Sequence, residues 1–591
     1  MNIVLTTLNS KYIHSALAIR YLKSYTQDLI PMKLMEFTIN QNIDYIAGEI
    51  YKANPDILCL STYIWNRNET LKICEILKMV KPNLKIILGG PEVSFDGKDI
   101  LKDHPFIDFI VYGEGEKSFK ELIKIFLDGK QDYSRIKGII YRVGHNIIQN
   151  PPMPLIKELD SIPSPYKGLD GSLKNKIVYY ESSRGCPFNC QFCLSSTIKG
   201  VRYFSLDRVK EDLERLIKAQ VKQVKFVDRT FNANKRYAME IMDFIMDKDP
   251  KDMNFHFEVT AHLLDREMLD FIKQAKEGLF QFEIGVQSTN PRTIKAVGRT
   301  TDFRKLSKVC KEIKSYNNIH QHLDLIAGLP YEDYNSFKKS FNDVYDLKPE
   351  KIQLGFLKLL KGSGLRREKS KYNFKFLDQP PYEVLENDYI SYEEMLKLKG
   401  IEDLVEKYYN EGYFYNSLEY LIENNYQTAF DFFEDFLYYW EENKYHTLSH
   451  SKNNLYKILL SFYREKGFKN PIIFNELIKY DYLFNNGPSI PKFIDRDEEQ
   501  IVKKHKHDIL KDERLLSSYL KQYIDLPTKE IIKRVHIEKF RIDVLELMKR
   551  AYNLDDNLSK SSYILFDYQD GPLIRCKTYD ITKFIEREGK F

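Results

Sequence analysis

The sequence predicts an α/β protein in three parts: an N-terminal doubly wound (Rossmann-like) parallel sheet, a central partial TIM-type (β/α)6 barrel, and a mostly helical C-terminal domain. Three observations predict it. Apolar runs of strand length alternate with helical periodicity over residues 1–143 and again over 176–375, and such alternation with short connections builds parallel sheets. Five prolines between Pro151 and Pro165 mark residues 144–175 as a linker, because proline continues neither a helix nor a central strand. Over 376–591 the strand signals fade and Tyr- and Lys-rich helical text takes over.

The 591 residues are 43% hydrophobic and 30% charged, enough to bury a sizeable core and too apolar for a disordered chain. Net charge is +5, from 90 basic and 85 acidic residues. That near balance excludes a dominant polyanion-binding surface but not a local basic patch, so nucleic acid is not excluded as a partner. No apolar run approaches the ~18 residues of a membrane span. The opening Met-Asn-Ile-Val-Leu reads as a strand, not a signal peptide. A cytoplasmic protein without a membrane anchor is expected.

In the first part, strands are expected at 2–7, 33–37, 56–61, 85–88, 106–111 and 138–142, with helices near 15–25, 43–51 and 69–80. Gly89-Gly90 follows one strand and Gly113-Glu114-Gly115-Glu116 another. Ligands of such sheets sit at the carboxyl ends of the strands, where these loops lie. Neither loop has the dinucleotide fingerprint. In the second part, strands are expected at 177–182, 223–227, 256–260, 281–286, 323–327 and 353–357. Ser205, Asp265 and Asn290 with Pro291 are helix-start signals between them. Barrel chemistry belongs on the loops that follow the strands. The third part offers helices at 391–399, 401–410, 418–424 and 455–463, and β-like pieces at 563–568 and 573–578. Its aromatic runs (Tyr408-Tyr409, Tyr413-Phe414-Tyr415, Tyr438-Tyr439-Trp440) read as core. The basic run 503–507 reads as a solvated face or as a surface for an anionic or RNA substrate.

Three of the seven cysteines fall within eight positions, Cys186, Cys190 and Cys193, directly after the first barrel strand. A disulfide framework needs more pairs and an oxidising compartment. Structural zinc needs four ligands, and no second pair lies nearby in sequence. Three thiolates suit a cubane cluster with one iron left open to a small chelating ligand.

Cys-x3-Cys-x2-Cys with the aromatic Phe192 before its last cysteine resembles the signature of the radical S-adenosylmethionine (SAM) enzymes. The resemblance implies that Cys186, Cys190 and Cys193 hold a 4Fe–4S cluster, that SAM chelates the fourth iron, and that one electron cleaves it to a 5′-deoxyadenosyl radical. A donor such as flavodoxin or ferredoxin is implied as well. Val224-Lys-Phe-Val-Asp228-Arg-Thr-Phe231, Phe257-Glu258-Val-Thr-Ala261, Phe282-Glu283-Ile-Gly-Val-Gln287-Ser288 and Asp324-Leu-Ile-Ala-Gly328-Leu-Pro330 resemble the second to fifth strand segments of the subgroup that includes the methylthiotransferases. By that resemblance Glu258, Glu283 and Gln287 face SAM, Phe192 and Gly328 lie near the adenine, and the catalytic residues beyond these stay unassigned. An alternative is that some of the acids pair with Arg or Lys across the barrel.

Residues 58–66, 88–94 and 111–116 resemble the cobalamin-binding domain that precedes many radical SAM enzymes. Ser61, Gly89, Gly90, Gly113 and Gly115 are then the cobalamin-side positions. The Asp-x-His-x-x-Gly motif that gives cobalt a lower histidine is absent, and His14 stands alone among the first hundred residues. The expected function is radical cleavage of SAM followed by methyl transfer from methylcobalamin to an unactivated carbon. The rivals are a cobalamin-free radical SAM enzyme acting on tRNA or another substrate, and an iron–sulfur electron carrier or redox sensor.

Overall fold

A computed structural model describes residues 1–168, 171, 173–496, 500–553, 560–568 and 576–588, with 500–504 and 588 described by backbone alone. The chain divides into two compact units, residues 1–349 with 353–395, and 350–352 with 396–591.

The first unit opens with strands β1 (Ile3–Asn9), β2 (Lys33–Thr38), β3 (Ile57–Ser61), β4 (Lys85–Gly89) and β5 (Phe109–Val111). They form a parallel sheet in the order β2-β1-β3-β4-β5. Alternation along β1 shows why both faces are covered. Val4 and Leu8 join one buried cluster with Leu58, Leu60 and Leu88, while Ile3 and Leu5 join another with Ile57, Cys59 and Ile87. Helices α1 (Leu17–Thr26), α2 (Ile43–Lys52), α3 (Arg67–Val80), α4 (Gly97–Asp103) and α5 (Gly115–Leu127) connect the strands. Two-sided burial of this kind is the mark of a parallel sheet. The sheet is not parallel throughout. β6 (Ile139–Val143) and β7 (Asn146–Gln149) add antiparallel to β5. A tight turn at Gly144, with φ +56°, joins them and forces that direction. β7 was not expected from the sequence.

A six-stranded sheet follows in the order β15-β14-β13-β12-β11-β8, an incomplete barrel. Its strands are β8 (Ile177–Tyr180), β11 (Gln223–Phe226), β12 (Asn254–Val259), β13 (Phe280–Gln287), β14 (Ile319–Ala327) and β15 (Lys351–Phe356); β9 (Ser183–Cys186) and β10 (Gly200–Tyr203) form a hairpin after β8. The connecting helices are α6 (Leu206–Lys218), α7 (Lys235–Lys248), α8 (Arg266–Ile272), α9 (Pro291–Ala296), α10 (Phe303–Tyr316) and α11 (Tyr334–Tyr345). Side chains of Ser205, Asp265 and Asn290 each accept an N–H of the first helical turn, with Pro291 leading α9. Val224, Phe226, Phe255, Phe257, Phe282, Ile284, Leu323 and Leu325 are buried. The residues that alternate with them are polar and turn the other way, into the lumen.

In the second unit, helices at Tyr415–Asn425, Ala429–Glu442, Lys452–Glu465 and Pro471–Asn486 precede an antiparallel sheet of Val535–Phe540, Ser562–Tyr568 and Cys576–Asp580. Tyr408, Tyr409, Phe414, Tyr439 and Trp440 are buried, as core aromatics should be, whereas Tyr415 and Tyr438 are exposed. Tyr463 and Phe474 stack at 3.8 Å. Residues 573–575 and the side chains of Lys503 and Lys504 lie outside the described ones. Among the described residues no helix is long and apolar enough to cross a membrane.

Candidate functional site

The cysteine loop is tied at both ends. β9 and β10 pair antiparallel, with Ser183 opposite Tyr203 and Cys186 opposite Gly200. Gly185 has φ +103°, and a Cβ there would run into the Gly200 carbonyl, so glycine is required for the strands to approach. Beneath the loop, the buried Asp228 accepts the Ser182 N–H at 2.9 Å and the hydroxyls of Ser182 and Ser183 at 2.6 and 2.5 Å. On the far side the Gln191 N–H donates to the Val297 carbonyl at 2.9 Å.

The three thiols on this loop are free and half-buried. Burial pushes the Cys190 thiol up against the pull of the Arg299 guanidinium, and the Cys193 and Cys186 thiols push the same way as burial. The sulfurs therefore lie within electrostatic reach of one another. Arg299 points an N–H at Cys190 Sγ (3.7 Å), the Ser195 N–H points at Cys193 Sγ (3.4 Å), and Thr230 Oγ1 lies 3.6 Å from Cys186 Sγ. Among the described residues no three His, Cys, Asp or Glu side chains converge on a single metal ion. A zinc ion needs its sulfurs at about 2.3 Å from one point; a cubane places each thiolate on a separate iron, so its ligands stand apart. Three free thiols with hydrogen-bond donors aimed at their sulfurs fit that second donor set.

The lumen below carries charge in rows set by strand register. Tyr179, Lys225, His256, Gln281 and His320 share one row; Glu258, Glu283 and His322 share the next. Lys225 Nζ and His256 Nε2 reach Glu283 Oε2 at 2.9 and 2.8 Å. Burial alone would raise the Glu283 carboxyl, but the nearby His256 and Lys225 overcome it and bring it down to about 2. His256 is itself pushed down by burial, so Lys225 supplies the charge beside Glu283. Glu258 is treated differently. Its nearest cation is Arg229 at 4.0 Å, and burial raises its carboxyl to about 7. Asp324 is pushed well up by burial and then by Glu283 and Glu258, and its Oδ1 has no hydrogen-bond partner.

Gln287 stands at a bulge with φ +70°, buried, with Oε1 unpartnered. Gly328 has φ +87°, and its carbonyl accepts the Asn387 amide at 2.8 Å. Phe192 packs against the apolar cluster of Val297, Leu329 and Leu357. Of the five positions expected beside SAM, Glu258 and Glu283 share a row of the barrel, Gln287 ends β13, Gly328 follows β14 and Phe192 lies on the cysteine loop, with Glu283 already paired to Lys225. Asp228, Lys225, His256, Arg299 and Asp324 received no role from the sequence. For Lys225, His256 and Asp324 the only signal was polar residues alternating with apolar ones along a strand; Asp228 and Arg299 lie in loops and had none.

The cobalamin-side positions all lie at the carboxyl edge of the first sheet. Ser61 is buried and donates to Thr7 Oγ1 at 2.7 Å. Gly90 has φ +108°, and a Cβ there would sit 2.5 Å from the Thr62 carbonyl oxygen. Gly113 is open, with φ +78°, and Gly115 begins α5. Beside them Thr62 Oγ1 is buried without a partner, and Tyr63 and Trp65 stack flat, 4.5 Å apart at 4°. Small residues, an orphaned hydroxyl and a planar aromatic pair fit the edge of a large flat cofactor.

This edge faces the barrel mouth, and charged pairs hold the two together. Arg184 reaches Glu116 at 2.5 Å, and Arg202 grips Glu114 with both guanidinium nitrogens. Lys361 pairs with Asp96, and the Tyr382 hydroxyl donates to Glu92 at 2.7 Å. His14, in the loop after β1, stacks on Tyr179 and shares a hydrogen bond with its hydroxyl at 3.0 Å through Nδ1.

Three family profiles match in succession: a B12 binding domain over residues 3–123, the radical SAM superfamily over 180–344, and a protein family of unknown function, DUF4080, over 370–566. The chain therefore carries a B12-binding domain, a radical SAM domain and a DUF4080 region. The first two imply cobalamin, a 4Fe–4S cluster and SAM. The cobalamin-dependent radical SAM methyltransferase TokK of Streptomyces tokunonensis is 28% identical over 316 residues, 50% of this chain and 45% of that protein. This chain thus spans about half the length of that relative. An uncharacterised methyltransferase of Pyrococcus horikoshii is 28% identical over 325 residues, 54% of this chain and 70% of that one. The cobalamin-dependent SAM radical enzyme OxsB, solved with aqua-cobalamin and SAM, shares the fold at a TM-score of 0.55 and 15% identity, over 93% of this chain and 83% of that one.

Proposed function

We propose that the chain is a radical SAM enzyme that methylates an unactivated carbon, with cobalamin on the first sheet as methyl carrier. The observation that carries this reading is the apposition of two strand-end edges, one with three free thiols and one with a glycine-lined, aromatic-floored cradle. A substrate carbon held between them lies within reach of both, and bond-making needs approach to ~3–3.5 Å. When bound, the cluster and SAM supply a hydrogen-abstracting carbon radical, and cobalamin supplies the methyl group.

The chain's own residues do the holding. Cys186, Cys190 and Cys193 ligate iron, while the N–H groups of Arg299 and Ser195 spread thiolate charge. Glu258, Gln287 and Asp324 offer acceptors to an ammonium and a ribose diol, groups that need them once water is excluded. Glu283 acts by position, keeping Lys225 and His256 fixed under the site. Ser61, Gly89, Gly90, Gly113 and Gly115 line the corrin side. His14 engages the Tyr179 hydroxyl through Nδ1, and with no Asp-x-His-x-x-Gly motif in the chain a bound cobalamin would be expected base-off. The reading requires a one-electron donor of the flavodoxin or ferredoxin kind, and the free thiols suit a reducing cytoplasm.

The test is anaerobic reconstitution. The protein should hold about four iron atoms per chain, take up one cobalt from hydroxocobalamin with a base-off spectrum, and release 5′-deoxyadenosine from SAM under a strong reductant. Replacing all three cysteines with alanine should abolish the visible absorption. Full iron in that variant overturns the cluster assignment, and cobalt near zero in the parent overturns methyl transfer.

A further inference from the structure

The helices around the barrel treat their cations unequally. On α6 every basic side chain is neutralised: Arg208 by Asp212, Lys210 by Glu240, Arg215 by Asp212 and Glu211, Lys218 by Glu214. On α8, Arg266 pairs with Asp270 and with Glu312, which belongs to α10. α10 itself presents Arg304, Lys305, Lys308 and Lys311, all exposed, and none has a carboxylate within 4.0 Å among the described residues. Their spacing of one, three and three residues keeps Arg304, Lys308 and Lys311 along one stripe. Its own carboxylate, Glu312, is spent on Arg266. An open row of like charges repels itself and destabilises its helix by a few tenths of a kcal/mol per pair, so local stability does not explain it.

The stripe starts beside the cluster loop. α10 packs against the 3-10 turn Ala261–Leu263, and Lys305 lies close enough to His262 to help push its imidazole down, after burial and Arg299. His262 lines a pocket with Phe188, Cys190, Thr260, Arg299, Thr300 and Thr301. One cysteine of the three therefore borders a surface pocket whose rim runs onto an uncompensated cationic helix.

We propose that this face, from the Cys190 pocket along α10, docks an acidic one-electron donor protein. The proposal rests on the cluster reading above. One electron passes from the donor's reduced flavin or iron–sulfur centre to the cluster held by Cys186, Cys190 and Cys193; the donor is oxidised by one electron, the cluster reduced by one, and no atom is transferred. Charge complementarity selects the partner. A positive stripe speeds encounter with an acidic surface and orients it, an effect that fades with salt.

The test uses anaerobic holoprotein, a flavodoxin of acidic surface, and the variant Arg304→Glu/Lys308→Glu/Lys311→Glu. The parent should bind flavodoxin with an affinity that falls as salt rises, and reduced flavodoxin should bleach its cluster. The variant should lose about tenfold or more in both binding and second-order reduction rate at low salt, while dithionite bleaches its cluster at the parent's rate. The milder Arg304→Gln/Lys308→Gln/Lys311→Gln should fall between and guards against misfolding. Equal flavodoxin binding by parent and charge-reversed protein overturns the docking face while leaving the cluster reading intact. Capture of bulk tRNA by this stripe, with flavodoxin indifferent to it, also overturns the proposal. Absence of any cluster in the parent is instead a failure of the underlying reading.

Discussion

At the carboxyl edge of the first sheet, apart from the carboxylates that pair with the barrel, the groups are uncharged: Ser61, Thr62, Gly89, Gly90, Gly113, Gly115 and the Tyr63–Trp65 stack. Across from it, the barrel offers three thiols, Arg299, Glu258, Glu283, Lys225 and Asp324. On the proposed function, one edge recognises by shape and the other by charge. The difference accords with what each is asked to hold. A corrin is a broad, flat body best met by backbone that can come close. SAM and a cluster are charged and need fixed counter-groups in a site that water leaves.

Shape should break most sharply. Gly90→Ala brings a Cβ to 2.5 Å from the Thr62 carbonyl oxygen at a φ of +108°, a conflict of backbone with backbone. The variant should lose cobalamin altogether, read as cobalt per chain after gel filtration, while iron content stays at the parent's value.

Charge should break by degrees, with opposite sign at two adjoining positions. Glu258 and Glu283 are partners in one strand ladder. Glu283→Gln leaves Lys225 without its carboxylate and should cost ~3 kcal/mol in denaturant unfolding of the apoprotein. Glu283 is held near 2, below its unfolded value, so its stabilisation is complete above about pH 4.5 and fades as pH falls toward 2. Glu258 is held up at about 7, so the folded state binds the extra proton and stability falls as pH rises from about 4.5 to 7. Glu258→Gln should remove that slope and stabilise the apoprotein at pH 8 by ~2 kcal/mol, less than the full shift implies because its carboxyl is partly solvated. Parallel pH slopes in the two variants would undo the distinction between a locked and an open carboxylate.

The smallest effect is expected at His14. With no Asp-x-His-x-x-Gly motif around it, His14→Ala should leave the bound-cobalamin spectrum unchanged. A shift in its visible bands would bring the histidine back to the cobalt and change the account of the first edge.

The parts legible in sequence were those written locally. Cys186, Cys190 and Cys193 stand out because three cysteines share one loop at the spacing expected of cluster ligands. Strand–helix alternation and the caps at Ser205, Asp265 and Asn290 are likewise decided within a few residues. That an acid pairs with a lysine across the barrel was one of the sequence's alternatives, and Glu283 with Lys225 does so; which acid, and that His256 joins it, was not legible, because the group draws one residue from each of three strands and exists only once register is set. Glu283 looked like Glu258 in sequence; only the neighbouring strands tell them apart. β7 was missed because a four-residue edge strand carries too little pattern. The open stripe on α10 was hidden for a related reason: its cations look like those of α6 until the carboxylates of other helices are placed.

The β9–β10 hairpin has a consequence for how the cysteine loop is closed. Because its two strands are zipped from Ser183–Tyr203 to Cys186–Gly200, the thirteen residues from Pro187 to Lys199 form a ring closed by backbone hydrogen bonds. The entropy of closing that ring, which grows only slowly with its length, is met by backbone pairing and by Asp228 beneath it. Closure of the cysteine loop thus comes from backbone pairing in the chain itself, unlike a zinc finger, where the metal supplies the closure.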